Sequence, residues 1–356
     1  MKAKKVIFML PNLGAGGAER VVTILSRGLR EKGLAVDIVM MLSELVQYPV
    51  PDGVGLVSLR TQGMSQLARL RVVRDYFRKQ KKEFQNVVAV PFQDNCLNYA
   101  LAASVGLGIP VVACERNNPY RKGREGLARR KAIAPYALAK RCVFQTPDAQ
   151  DYYGPAVGRK STVILNPLTL PDTLRWRGRG SRRILSVGRL DPQKNQKILI
   201  EAFAGLHEKF PEYTLEIYGE GALRPQLQAQ IDSLGLEKAV FLRGHCPDIP
   251  GELVQAAMFV LPSDYEGMSN ALMEALAVGM PVVTTDHPIG GARMLVENGV
   301  SGLMTPVGDA QALQTAMERL LREPGLARSL GENAVRVREK LAVDTILRQW
   351  MDVINL

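Results

Sequence analysis

Short apolar runs alternate with amphipathic segments along the first half of the chain. The apolar runs predict strands at Val6–Leu10, Val36–Leu42, Val87–Val90 and Pro110–Cys114. The segments between these runs have helical periodicity and predict helices at Ala18–Lys32, Leu67–Lys82 and Asn98–Val105. Repeated alternation of strand and helix is typical of a parallel sheet covered by helices.

A second series of such units begins after an interrupted segment. A short strand predicted at Val163–Leu165 runs into Asn166 and Pro167, and prolines and glycines then break any regular pattern as far as Gly180. Beyond that point, strands are predicted at Arg183–Val187, Leu215–Tyr218, Val240–Leu242, Phe259–Leu261 and Val282–Thr285. Helices are predicted at Asn195–Lys209, Arg224–Leu234, Ala310–Leu321 and Ala334–Leu356.

The two series predict an α/β protein with two Rossmann-like, doubly wound domains facing a central cleft. We place the first domain at residues 1–166, a linker at 167–182, the second domain at 183–333 and a C-terminal helix at 334–356. A chain of 356 residues that is 46% hydrophobic can bury two such cores. Ligands of doubly wound sheets bind beyond the carboxyl ends of the strands, so the cleft is the expected site.

Charge is divided unevenly between the two halves. Residues 1–178 contain 28 Lys and Arg against 13 Asp and Glu, a net +15, whereas residues 179–356 contain 18 against 22, a net −4. A basic first half favours a polyanionic partner, such as anionic lipid, nucleic acid or a phosphorylated substrate.

Cysteine and histidine give no sign of a metal site. Cys96, Cys114, Cys142 and Cys246 form no C-x-x-C pair, which favours reduced, buried thiols in a cytosolic protein. The three histidines are far apart in the sequence, so we expect no bound metal. The first apolar run is too short for a signal peptide, and no run reaches the roughly 20 residues of a membrane span.

A glycine-rich motif joins the first predicted strand to the first helix. The segment 14–19, GAGGAE, places Gly16 and Gly17 at a helix start, where the backbone can approach an anion closely. A dinucleotide-binding fingerprint would need glycine at Glu19 and an acid just after the second strand, but Asp37 lies inside that strand. The motif therefore either approaches a donor phosphate or sugar, or forms only a tight turn.

Two cations follow the first strand of the second series. Within VGRLDPQKN, Arg189 lies just past the strand and Lys194 just before the next helix. At the carboxyl edge of a parallel sheet they could neutralise a diphosphate, and stabilising a departing diphosphate is catalysis. Considered alone, they could also be solvated surface cations.

Two acids mark the most informative segment, SDYEGMSNALME at residues 263–274. Glu266 and Glu274 are eight residues apart, which would separate them by about 80° if both were helical. Glu266 can meet a transferred sugar, and Glu274 can hydrogen-bond a ribose diol. Ser269 can cap a helix whose N-terminus faces a phosphate. The alternative for Glu274 is a salt-bridged helix residue.

These motifs, in this order and spacing, resemble the retaining glycosyltransferase family 4, which has the GT-B fold. The resemblance is carried by the E-x7-E pair Glu266–Glu274, by VGRLDPQKN, by GAGGAER and by VILNP at Val163–Pro167. It covers nearly the whole chain. It is nearest to bacterial glycan-assembly transferases, such as the polymerising N-acetylgalactosamine transferases of N-glycan biosynthesis.

The resemblance implies transfer of a hexose or N-acetylhexosamine from a nucleotide-diphosphate sugar, with UDP as the expected nucleotide, retained configuration and no metal. It implies that Arg189 and Lys194 grip the diphosphate, that Glu266 orients the sugar and that Glu274 holds the ribose. Glycines of the first domain would close over the sugar phosphate. The donor-binding set that it implies is Gly16, Gly17, Arg189, Lys194, Glu266, Gly267, Met268, Ser269 and Glu274.

One position departs from the family pattern. Many relatives have a histidine near the strand that matches Val111–Cys114, whereas this first domain contains none, and Arg116 occupies that place. A proton-relay role is therefore not carried over. We expect Arg116 to contact the sugar or the acceptor instead.

Basic residues in the first half favour contact with a membrane. Residues 121–141 interleave clusters at 121–124 and 129–131 with apolar residues, and Leu67–Lys82 adds seven further cations. A helix of this kind could lie on an anionic membrane. We expect a cytoplasmic enzyme attached peripherally to the inner face of the membrane, with a lipid-linked acceptor in the first domain. A solvated basic face is the alternative.

Two other classes of function remain to be weighed. A nucleic-acid-binding protein would explain the charge but not Glu266 and Glu274, and no RNA- or DNA-reading motif is apparent. We therefore expect no nucleic-acid partner. A nucleotide-sugar epimerase on the same fold would need acid and base groups but no lipid-facing surface. Salt-sensitive membrane binding would separate the epimerase from the transferase.

Overall fold

The structure, a computed structural model, describes residues 4–14, 16–123, 125–178 and 180–355. By internal packing the chain divides into two compact units. Unit 1 comprises Met1–Thr169 with Leu341–Leu356, and unit 2 comprises Leu170–Lys340. Each unit has a parallel sheet with helices, so the predicted α/β class is confirmed.

Unit 1 is built on parallel strands that the apolar runs largely predicted. The strands are β1 Lys5–Leu10, β2 Ala35–Met40, β3 Gly55–Ser58, β4 Val87–Pro91, β5 Val112–Cys114, β6 Arg141–Phe144 and β7 Ser161–Val163. They form sheets in the orders β3-β2-β1-β4 and β5-β6-β7, and a bridge between Ala89 and Val111 joins the two. β1 and β4 are buried at every position because helices cover both faces of a parallel sheet.

The helices of unit 1 include one from the end of the chain. They are α1 Gly17–Glu31, α2 Gln66–Glu83, α3 Asp94–Ser104, α4 Gly126–Leu138, α5 Pro147–Tyr152, α6 Pro155–Gly158 and α14 Val343–Ile354. Trp350 of α14 packs against Phe8 and Phe92, with ring centroids 6.2 and 5.9 Å away. Gly28 of α1 has no side chain because Leu347 of α14 fills that space.

Unit 2 repeats the architecture with one continuous sheet. Its strands are β8 Arg183–Val187, β9 Thr214–Tyr218, β10 Val240–Gly244, β11 Met258–Leu261, β12 Val282–Thr285 and β13 Leu303–Thr305. Their spatial order is β10-β9-β8-β11-β12-β13. The helices are α7 Gln196–Lys209, α8 Arg224–Ser233, α9 Ile249–Leu253, α10 Asn270–Val278, α11 Ala310–Arg322 and α12 Pro324–Ala334. This is the strand order of a doubly wound, nucleotide-binding sheet.

Three expectations differ from the structure. β3, β6 and β13 were not predicted, and β3 lacks an apolar run because its residues are only partly buried. The single helix predicted at 334–356 is wrong: α12 ends at Ala334, α13 spans Val337–Leu341 and α14 begins at Val343, with Ala342 extended between the last two. The boundaries between the two units also differ from the predicted ones, because they fall at 169/170 and 340/341. Residues 334–340 therefore lie in unit 2 and not with the C-terminal helix of unit 1.

Candidate active site

The strand order of unit 2 reverses between β8 and β11, which makes the loops after these strands a topological switch point. The loop after β8 carries Arg189 and Lys194, and the loop after β11 carries Glu266. Lys194 ends a short 3-10 turn, in which its backbone N–H donates to the side chain of Asp191 at 3.3 Å. Motifs separated by 72 residues in sequence therefore meet at one sheet edge.

Glu266 is buried, and three donors hold its carboxylate. Lys194 Nζ donates to Oε1 and forms a salt bridge in which both side chains are mostly buried. Ser263 Oγ donates to the same oxygen at 2.8 Å, and Gln193 Nε2 donates to Oε2 at 3.1 Å. Because charge-assisted hydrogen bonds are stronger than neutral ones, this arrangement fixes the carboxylate firmly. Gln193 and Ser263 were missed from the sequence, although Gln193 lies in the same motif as Lys194.

Further hydrogen bonds tie the two loops together. The backbone N–H of Asp264 donates to the carbonyl of Gln193 at 2.9 Å, and Asn195 Nδ2 donates to Asp264 Oδ1 at 2.7 Å. Asn195 has φ 44°, a left-handed conformation that asparagine tolerates better than most residues. A Cβ on Gly188 would lie 3.0 Å from the Lys194 stem, so the glycine gives that side chain its room.

Arg189 does not join this cluster. Its side chain is 73% exposed, and its guanidinium forms an ion pair with the Asp191 carboxylate at 3.1 Å. The loop position agrees with the sequence interpretation, but Arg189 and Lys194 pair with different carboxylates, Asp191 and Glu266, and do not meet as a diphosphate clamp. Its role in donor binding stays a prediction.

The loop that carries Glu266 leads into α10, and Glu274 lies within that helix. Ser269 Oγ accepts a hydrogen bond from Leu272 N–H at 3.4 Å, so Ser269 caps α10 as expected. Glu266 precedes the helix, so the angle estimated for two helical acids does not apply. Glu274 is 3% exposed within α10, and Gly267 and Met268 are also buried.

The loop after β12 supports the Glu266 segment from the other side. A Cβ on Gly291 would overlap the carbonyl oxygen of Gly267, so the two backbones are in direct contact. Ile289 has φ 79°, a strained value for a β-branched residue. His287 is fully buried, with Nδ1 3.1 Å from the carbonyl of Pro288, and burial lowers its pKa. The packing of this loop against the Glu266 segment was not predicted from the sequence.

In unit 1 the glycine motif begins α1 beside a buried acid. Gly16 is the N-cap and Gly17 the first helical residue, and Ala15 lies outside the described residues. The Glu19 carboxylate occupies the space where a Gly16 side chain would lie, and Gln93 Nε2 donates to Glu19 Oε1 at 2.9 Å. The Glu19 contact explains why glycine is needed at 16. It does not decide between a tight turn and a donor contact.

Arg116 lies at the carboxyl edge of the unit 1 sheet, after β5. Its guanidinium stacks 4.0 Å from the ring centroid of Phe92, and Nη2 donates to Asn166 Oδ1 at 3.2 Å. Gln145 Nε2 donates to the same oxygen at 2.8 Å. Burial lowers the pKa of Arg116 to about 10, so the group stays cationic at neutral pH. A contact with sugar or acceptor remains a prediction.

A buried acidic network next to Arg116 was not predicted. Glu115 is 3% exposed and accepts hydrogen bonds from Lys122 and, at 2.6 Å, from Tyr153. Lys122 also pairs with Asp94 at 2.6 Å, and Tyr136 donates to Asp94 at 2.7 Å. Burial raises the pKa of Glu115, and the Asp94 charge adds to the effect. Asp94 and Glu115 closely follow β4 and β5, which is the signal that sequence analysis could have used.

The described parts of the chain contain no cluster of three or more His, Cys, Asp or Glu that could hold a metal ion. Cys96, Cys114 and Cys142 are buried free thiols, and Cys246 is partly exposed. Within the ranges that the structure covers, no helix has the length and apolar character needed to cross a membrane. Of the basic residues at 121–141, Arg124 lies outside those ranges.

Comparison with known proteins identifies relatives of both the sequence and the fold. Residues 177–337 match the family model described as glycosyl transferases group 1. A Campylobacter jejuni α-1,4-N-acetyl-D-galactosaminyltransferase, named for a GalNAc-containing undecaprenyl-diphosphate-linked glycan, is 26% identical over 98% of this chain and 98% of its own. The Erwinia amylovora amylovoran biosynthesis glycosyltransferase AmsK is 42% identical over 39% of this chain and 35% of its own.

Two solved structures share the complete fold. Anabaena HepE in complex with UDP and glucose has a TM-score of 0.83 and 22% identity, with 99% of each chain covered. Staphylococcus aureus TarM, solved as a mutant with UDP and glycan ligands, has a TM-score of 0.84 and 13% identity, with 100% of each chain covered. Both have the GT-B fold. The resemblance identified from the motifs is confirmed: this chain is a glycosyltransferase of the GT-B fold that carries a group 1 glycosyl transferase domain.

Proposed function

We propose that this enzyme transfers a hexosyl or N-acetylhexosaminyl residue from a nucleotide-diphosphate sugar, with UDP as the nucleotide, to a lipid-linked or cell-envelope glycan. The observation that carries the proposal is the buried Lys194–Glu266 pair at the switch point of unit 2, just before the N-terminus of α10. The C. jejuni relative is named for a lipid-linked glycan, and HepE was solved with UDP and glucose.

The chemistry follows from the charges at this edge. As the bond between the sugar carbon and the diphosphate breaks, negative charge grows on the departing oxygen. Lys194 and the positive end of α10 stabilise that charge. The acceptor hydroxyl attacks the same face, and its proton passes to the departing phosphate, so the sugar keeps its configuration. Arg189 exchanges its ion pair with Asp191 for an ion pair with the diphosphate. This exchange costs little because an exposed ion pair is weak.

Donor binding is tested by thermal shift and turnover with UDP-, GDP- and ADP-sugars, each with and without EDTA. A ligand that binds only the folded state raises the melting temperature. We expect one UDP-sugar to stabilise the protein, Glu274→Ala to abolish the shift, and EDTA to have no effect. Glu201→Ala, an exposed glutamate of α7, is the matched control. Loss of activity in EDTA would overturn metal independence, and a shift that survives Glu274→Ala would overturn the ribose assignment.

We propose further that unit 1 binds the inner face of the membrane through α4. Leu127 and Leu138 are 67% and 76% exposed, beside the exposed cations Arg130 and Lys131. Apolar side chains among cations suit an anionic lipid surface. Co-sedimentation with phosphatidylglycerol vesicles should fall with salt and with Arg130→Glu/Lys131→Glu. The control Arg319→Glu, on α11 of unit 2, should bind normally. Equal binding to neutral vesicles would overturn this surface.

A further inference from the structure

The chain passes between the two units at two crossings, 169/170 and 340/341. On the unit 1 side the backbone joins these crossings. The Leu168 N–H donates to the carbonyl of Leu341 at 2.9 Å, and Leu168 forms a parallel bridge with Ala342. On the unit 2 side the side chain of Arg338, in α13, joins them.

The Arg338 guanidinium holds the segment that follows the first crossing. Nη1 donates to the carbonyl of Pro171 at 3.1 Å and to the Asp172 carboxylate at 2.9 Å. Nη2 donates to the carbonyl of Leu174 at 2.9 Å. The Arg338 side chain is 14% exposed, whereas that of Asp172 is 93% exposed. Because an exposed carboxylate adds little to an ion pair, the two backbone carbonyls are the main acceptors.

The same guanidinium reaches the C-terminal end of α10. Nε of Arg338 donates to the carbonyl of Ala277 at 2.6 Å, and the backbone N–H of Trp176 donates to the carbonyl of Val278 at 2.8 Å. The last four carbonyls of a helix lack N–H partners within it. Here the turn that ends the helix binds the first two, and groups outside the helix bind the last two.

α10 connects this cation to the candidate donor site. Ser269 caps the other end of the helix, where the donor diphosphate is proposed to bind. The helix dipole favours an anion at the N-terminus and a cation at the C-terminus. α10 has nine residues, a length of about 13 Å, and it is buried from Leu272 to Val278. A close-packed helix of this kind transmits a displacement from one end to the other.

Arginine is suited to this position by its shape. Its planar guanidinium carries five N–H donors in a fixed geometry, and Nε, Nη1 and Nη2 of Arg338 each bind a different backbone carbonyl. A lysine has one nitrogen, so it cannot bind α10 and the segment after the first crossing with the same geometry. A merely structural role would need the same bonds. The two roles differ in whether the crossings respond to a ligand at α10.

We propose that Arg338 is a positioning residue that couples the donor site to the crossings. When a nucleotide diphosphate occupies the N-terminus of α10, the Ala277 carbonyl and Arg338 move with the helix, and the segment 168–174 becomes more ordered. Coupling between two sites is reciprocal, so the conformation of the crossings also changes the affinity for the donor. The coupling rests on the proposed function, which places the nucleotide at α10.

Hydrogen exchange of the full chain, measured by mass spectrometry with and without UDP, tests this coupling. The peptide 263–274 reports donor binding. The peptide 168–174 reports the first crossing, where the N–H groups of Leu168 and Leu174 are hydrogen-bonded. We expect UDP to slow exchange in both peptides, and in 168–174 by about fivefold, the lower end of typical coupling. GDP and ADP are tested in parallel.

Three variants separate coupling from a structural role. Arg338→Met should keep the effect of UDP at 263–274 and lose it at 168–174. Arg338→Lys keeps a cation near the end of α10 and is the milder change, yet it should also lose most of the effect at 168–174. Arg336→Met, at an exposed arginine two residues away, should match wild type. A merely structural Arg338 would speed exchange equally with and without UDP in these variants.

An effect of UDP at 263–274 that does not extend to 168–174 in the wild-type chain would overturn the coupling and leave the donor site intact. An undiminished effect at 168–174 in both Arg338 variants would also overturn it. Unchanged exchange in both peptides with all three nucleotides would contradict the donor site as well, so the two failures are distinguishable.

Discussion

Replacement of Lys194 by methionine should destabilise unit 2, because it leaves the Glu266 carboxylate buried without its cation. Breaking a buried ion pair from one side costs about 3–5 kcal/mol. Gln193 and Ser263 still donate to Glu266 in the variant, so the carboxylate keeps two of its three donors. We therefore expect the lower end of that range, a loss of about 3 kcal/mol in the free energy of unfolding. The rate of transfer should fall about 10²–10³-fold, since an electrostatic stabiliser of the leaving group is lost.

Urea unfolding in a double-mutant cycle measures this coupling. The chain has two tryptophans, Trp176 in unit 2 and Trp350 in unit 1. A Trp350→Phe background therefore leaves Trp176 fluorescence as a reporter of unit 2. Lys194→Met, Glu266→Gln and the double variant should show an interaction energy of about 1–3 kcal/mol.

The matched control is Lys197→Met, which removes an exposed lysine of α7 and should change little. Single-variant losses that add to the double-variant loss within about 0.5 kcal/mol would refute the coupling. A stable, fully active Lys194→Met enzyme would also refute the coupling. Glutamine is chosen at Glu266 because it keeps the shape of the side chain while removing its charge.

Three further results are expected. Gly291→Ala should lower the melting temperature and weaken UDP-sugar binding, at a cost of about 1–3 kcal/mol, because a Cβ overlaps the Gly267 carbonyl; a wild-type melting curve would contradict this. Tyr153→Phe should cost about 1.5–3 kcal/mol in urea unfolding by removing a hydrogen bond to buried Glu115, and an unchanged midpoint would count against that network. His287 has a pKa lowered by burial, so its contribution to stability is present above about pH 6.5 and lost as the pH falls. His287→Gln should flatten the acid side of the stability–pH profile, and an equally steep profile would refute this.

The regular elements were predictable because parallel strands are buried on both faces and leave unbroken apolar runs. β8 and β12 have the predicted bounds, whereas β3 is a short edge strand without such a run. The break at Ala342 was missed because an extended alanine between two helical segments carries no glycine or proline signal. Helical periodicity continues in the residues on both sides of it.

The candidate site was predictable as a set of loops but not as a set of contacts. Motif order located Lys194 and Glu266, but their pairing depends on which strands are neighbours in space. Gln193 and Ser263 are neutral residues that bind Glu266 only because of loop geometry. Arg189, in contrast, is largely exposed and pairs with Asp191. Side-chain direction in a loop is set by local packing and by the ligand, and neither can be deduced from spacing.

Sugar transfer itself is tested most directly by incubating a radiolabelled UDP-sugar with the enzyme and a polyprenyl-diphosphate-linked glycan, and then analysing the lipid and nucleotide fractions. We predict label in the lipid-linked glycan, an anomeric configuration identical to that of the donor by NMR, and loss of incorporation in Glu266→Gln. Label that stays in the nucleotide fraction as an epimerised sugar, or a product of inverted configuration, would contradict a retaining glycosyltransferase.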